Sequence, residues 1–117
     1  MDYTDRLRRL AINDERLAED DLAALGVGAE GLDPRSLALA RVAALVAIGG
    51  AEPSFGSQAD AAVSAGATPS EIVDVLIGII PVVGLPRVVA AAPKVAMALG
   101  YDIDEALDDQ SATTRRD

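Results

Sequence analysis

The stretch Val42–Gly66, VAALVAIGGAEPSFGSQADAAVSAG, decides how the chain is read. An apolar run ends in a Gly-Gly pair, a turn carrying Glu52, Pro53 and Ser54 follows, and a second helical segment stops at Gly66. Glycine just past the last periodic residue is a common helix stop, because it accepts the left-handed backbone that other residues resist. Two helices joined by a short turn are predicted, the second from about Ser54 to Ala65 with Ser57, Gln58 and Asp60 facing out. The turn between them is where a reactive group would sit. It holds one carboxylate, Glu52, and neither cysteine nor histidine.

Upstream, Asp33-Pro34 is a helix start: aspartate accepts an orphan N–H and proline loses nothing at the first helical position. From Leu37 to Ile48 the residues are apolar on nearly all sides, Arg41 being the sole charge. A helix without a polar face is expected to be buried all round, in so small a chain partly against another subunit. Before it, Thr4–Ile12 reads as a short helix with Leu7, Leu10 and Ala11 inward and Arg6, Arg8 and Arg9 outward. A second short helix from Asn13 or Asp14 carries Leu17, Leu22 and Leu25, and Gly26–Gly31 is a connector.

Downstream, Thr68-Pro69-Ser70-Glu71 is a capping box, in which the threonine hydroxyl and the glutamate carboxylate each satisfy one backbone N–H of the other residue. The helix it opens carries Ile72, Val73, Val75, Leu76 and Ile79. Pro81 and Pro86 predict a kink or break between Ile80 and Pro86, since interior prolines remove a hydrogen bond and clash with the preceding turn. A last long helix runs from Pro86 to Leu99, is bent near Pro93 and is closed by Gly100. Asp104–Leu107 reads as one further turn, and the acidic segment 101–117 is expected to be partly disordered. Three regions result: residues 1–31 with the N-terminal helices and connector, a core at 32–100, and the tail at 101–117.

Composition bounds the chemistry. The chain has 117 residues, enough for one domain to bury a core without staples. Hydrophobic residues make up 50% and aromatics 3%, so the core volume must come from Ala, Val, Leu and Ile in closely packed helices. With no cysteine there are no disulfides, thiolate metal sites or thiol redox steps. With no histidine, only carboxylates, Lys and Tyr remain to move protons near neutral pH. No metal or cofactor is expected.

Net charge is −9, concentrated at the ends: residues 36–100 hold four acids and three bases. Such a surface disfavours nucleic acid and anionic membranes, which need clustered Lys and Arg. The apolar windows Val42–Ala51 and Val75–Pro86 fall short of the ~20 residues of a membrane helix. MDYTDRLRRL has no apolar run after its bases, so a cytoplasmic location is expected.

The segments LDPRSLALARVAALVAIGG and AEPSFGSQADAAVSAGATPSEIVDVLIGIIPVVGLPRVVAA together resemble the carboxymuconolactone decarboxylase and alkylhydroperoxidase D-like family, roughly from Leu32 to Leu99. AAVSAGATPSEIVDVL is the most specific part, and VGLP at Val83–Pro86 is similar to the family's Gly-Phe-Pro. The resemblance implies an all-α, single-domain bundle of five to seven helices, a buried pocket between them, and assembly as a trimer or a dimer of trimers.

In the peroxidase-like branch the turn and following helix carry Cys-x-x-Cys-x-x-x-His, with a glutamate on the preceding helix. Those positions fall on Ala51, Ser54 and Gln58, and near Ala38 or Leu39. A thiolate, a resolving thiol and a proton relay are required for that reaction, so thiol peroxidase activity is excluded. The decarboxylase branch is similar in keeping a histidine at the position of Gln58 and often a tyrosine at that of Val82.

Each candidate residue has two readings. Glu52 is either a buried general acid or base or a solvated residue in a first helical turn, where negative charge is favoured. Ser54 is either a nucleophile, which would need a base beside it, or the N-cap of its helix. Gln58 either orients a substrate carbonyl from the histidine position or is an exposed helix residue. Arg41 and Arg87 either clamp a carboxylate substrate or pair with Asp60, Asp74 or a neighbouring subunit's acid. Two functions follow: a non-redox lyase-type enzyme acting on a small carboxylate or lactone through Glu52, Gln58 and Arg87, with Ser54 and Arg41 as further contacts; or a non-catalytic homo-oligomeric scaffold or small-molecule binder.

Overall fold

The computed structural model describes residues 3–12 and 31–100. The readings made for residues 13–30 and for the tail 101–117 lie outside them. The chain divides into two compact units, Met1–Asp33 and Pro34–Asp117. Among the described residues all regular structure is helical: α1 (Tyr3–Ala11), α2 (Pro34–Ile48), α3 (Glu52–Ser64), α4 (Pro69–Gly78), the four-residue α5 (Ile80–Val83) and α6 (Leu85–Ala98).

The first unit contributes α1, which buries none of its residues. Arg8 is exposed as expected, but the apolar face is not covered: Leu7 and Leu10 are exposed, whereas Arg6 and Arg9 are half-covered. Asp5 lies 3.4 Å from Arg8 and 3.6 Å from Arg9, one and the same carboxylate holding two guanidinium groups.

In the second unit α3 packs most extensively against α6 and α2. Each helix gives a narrow stripe at helical spacing: Ala38, Val42 and Val46 from α2; Phe55, Ala59 and Ala62 from α3; Ile72 and Leu76 from α4; Val88, Ala91 and Val95 from α6. The all-round burial expected for α2 is not present within one chain, where Ala40, Arg41, Ala44 and Ile48 are exposed.

Helix ends follow the residues that prescribe them. Glu71 N–H donates to Thr68 Oγ1 at 3.1 Å and Thr68 N–H to Glu71 Oε1 at 3.0 Å, completing the capping box. The same carboxylate is ion-paired with Arg35 at the start of α2. At the end of α3, Gly66 has φ +102°, its N–H reaches Val63 O, and the Ala67 N–H reaches Ala62 O at 2.9 Å. This is a Schellman closure, with the buried Ala67 as its apolar contact. Pro81 and Pro86 do not kink a helix, because both occupy first-turn positions, where no hydrogen bond is lost. The predicted break is instead the short α5 and Gly84 at φ +92°. Pro93 lies inside α6.

Ile72 is fully buried, at 0% exposure, so Ile72→Ala should lower stability by about 2–5 kcal/mol. Thr68→Ala, which removes only the cap, should cost about 1 kcal/mol. Urea unfolding followed by circular dichroism measures both, and equal losses would remove the distinction between core and cap.

Candidate functional site

Gly49 ends α2 with φ +83°, and Gly50 and Ala51 lead directly into α3. A Cβ on Gly50 would stand 3.0 Å from Leu45 Cδ1, so the turn is tight as well as bent. The N-cap of α3 is Ala51, without a side-chain hydrogen bond, not Ser54 as expected. Pro53 presets the helical φ and Glu52 supplies first-turn negative charge, which starts the helix before the serine is reached. Ser54 is then an exposed helical residue whose N–H donates to Ala51 O at 3.0 Å.

The other candidates are dispersed. Glu52 is exposed in the first turn of α3, Gln58 is half-buried one turn further along, Arg41 is exposed on α2 and Arg87 is exposed on α6. Behind the turn lies Phe55, only 3% exposed. A small cavity of about 70 Å³ there is lined by Val46, Gly49, Phe55, Arg87, Ala91 and Lys94 among others. Of the predicted site residues, only Arg87 lines it.

Lys94 was not anticipated, although it is the one lysine of the chain and stands seven residues, two helical turns, after Arg87. Its Nζ donates to Gly50 O at 2.7 Å and lies 5.6 Å from the centroid of the Phe55 ring. A half-buried ammonium thus satisfies a carbonyl that the Gly-Gly break leaves without a helical partner, and the ring face adds an attraction to the cation. The arrangement braces the turn. Among the described residues it places two positive charges and no carboxylate on the cavity wall, a surface suited to holding a small anion.

A larger hollow of about 510 Å³ lies between α4 and α6, lined by Pro69, Val73, Leu76, Ala92, Ala96 and Leu99 together with Ser70 and Val95. Among the described residues no titratable side chain lines it. Among the described residues no group of three or more His, Cys, Asp or Glu is placed to hold a metal ion, and no helix is long and apolar enough to cross a membrane.

A small helical bundle whose second and third helices are broken by Gly-Gly, and whose fourth opens on a capping box, defines an all-α class built for close packing. The family model described as "Carboxymuconolactone decarboxylase family" matches residues 15–96, and the chain belongs to that family. No match is found among curated proteins or among solved structures.

Removing the ammonium should matter more than removing the expected catalytic groups. Lys94→Met should destabilise the fold by about 1–3 kcal/mol, because the Gly50 carbonyl loses a charged donor. Glu52→Gln and Gln58→Ala should each stay within about 0.5–1 kcal/mol. Thermal and urea melts of the three variants check this, and a Lys94→Met protein as stable as the wild type would show that the contact does not brace the turn.

Proposed function

We propose that this chain is a non-catalytic, self-associating member of the carboxymuconolactone decarboxylase family, acting as a helical scaffold or small-molecule-binding module. The observation that carries the reading is the composition of the space behind the α2–α3 turn. Phe55 and Val46 occupy it, Glu52 is exposed outside it, and its one amine, Lys94, is engaged by the Gly50 carbonyl. Catalysis of lyase type needs a group within reach of the reacting atoms that can take and return a proton. The positions at which the resemblance places reactive groups hold Ala51, Ser54, Gln58 and Val82, and none of these side chains is such a group.

Self-association is supported by what the protomer leaves uncovered. Ile48 is 77% exposed and Val82 86%, and Ile77, Leu85 and Val89 are exposed as well. Scattered apolar residues are ordinary on a surface, but the four on α4–α6, with Ile48 at the end of α2, support an interaction face on so small a chain. A trimer or hexamer is the assembly proposed. A small carboxylate is the ligand class the cavity would take, with Arg87 and Lys94 as countercharges.

Purified protein should show no turnover above background with carboxylated lactones or with peroxide, and it should sediment as a multimer. Lactone decarboxylation that disappears in Gln58→Ala would overturn the non-catalytic reading. A monomer at micromolar concentration would overturn the self-association.

A further inference from the structure

The hollow between α4 and α6 and the apolar face of α1 are matched in length, character and charge. Pro69 to Leu76 on one wall, Ala92 to Leu99 on the other, and Tyr3 to Leu10 of the stripe each span eight residues, about 10 Å at 1.5 Å rise per residue. Within one chain the stripe is uncovered: Tyr3 is 71% exposed, Leu7 59% and Leu10 55%. The spacing i, i+4, i+7 is the pattern by which a helix seats one face in an apolar groove.

Charge chooses between the possible occupants. α1 carries three arginines and one aspartate, a net +2. The α4 wall carries Glu71, already paired with Arg35, and Asp74, and α4 itself has no base. Asp74 is exposed, stands four residues after Ser70 on the rim, and has no ion-pair partner among the described residues. The lysine and Arg87 of α6 line the other cavity, away from this one. The tail 101–117, with six acids and two bases, would meet the acidic wall with the same sign. Complementary charge favours α1 and opposes the tail.

We infer that α1 of a second copy of this chain docks in the α4–α6 groove, its Tyr3–Leu7–Leu10 stripe against Val73, Leu76, Ala92 and Ala96. The inference rests on the self-association proposed above and names the surface that carries it. A helix of nine residues buries less than the roughly 800 Å² per partner of a standard interface. A closed exchange, in which every copy both gives and receives α1, satisfies that requirement and leaves no open end.

Because the chain has no cysteine, introduced thiols report contacts without background. Leu7→Cys and Val73→Cys chains bearing different tags are co-expressed and treated with a short bismaleimide. Both positions are exposed in one chain, so neither change should disturb the fold. The expected result is a two-chain product carrying both tags, absent when Leu7→Cys is paired with Ser57→Cys on the exposed side of α3. In parallel, Leu7→Asp/Leu10→Asp, with helicity checked by circular dichroism, should raise the dissociation constant roughly tenfold or more. A multimer giving no mixed-tag product overturns this docking and leaves self-association standing, whereas a monomer overturns both. Cross-linking confined to a single chain of the Leu7→Cys/Val73→Cys double variant, or from Tyr101→Cys to Val73→Cys in place of Leu7→Cys, also overturns it, as does an apolar small molecule found filling the groove.

Discussion

How closely α3 can approach α2 and α6 is the constraint on which the bundle depends. Ala59 and Ala62 line its inner stripe, Ala62 without any exposure, and Ala38 of α2 and Ala91 of α6 are buried as well. An alanine contributes little transfer free energy by itself, so the gain must come from backbones brought near enough to touch along their length. Such packing has almost no tolerance for added volume.

The single phenylalanine takes the place where that rule is relaxed. Phe55 lies at the α2–α3 turn, beside the glycine pair, and is buried there. Its ring and the Lys94 ammonium then hold the Gly50 carbonyl in a fixed position. The turn is therefore a structural joint. What holds it is packing and one charge-assisted hydrogen bond.

What could be read from the sequence divides along the range of the interactions. The capping box at Thr68–Glu71, the stops at Gly49, Gly66 and Gly100 and the start at Pro34 were legible, because each is settled by residues within one turn. Ser54 misled for an equally local reason: serine is a good cap, but Pro53 with Glu52 starts the helix earlier. Burial was not legible. Leu7 and Leu10 have the spacing of an inward stripe and are exposed, and α2 is apolar all round yet covered on one side within a chain. The role of Lys94 joins positions 50, 55 and 94, and periodicity carries no information about such a contact. Of the candidate site residues Arg87 lines the small cavity, and Glu52, Ser54, Gln58 and Arg41 do not, a difference of tertiary placement that residue spacing does not carry.

Glu71 has one further consequence. Its two carboxylate oxygens serve the first turn of α4 and, through Arg35, the first turn of α2, thirty-six positions away in sequence. Fraying of either helix start withdraws a partner from the other, so the two ends cannot open independently. Hydrogen exchange at the beginning of α2 and of α4 is thereby coupled, by the modest strength of a partly exposed ion pair.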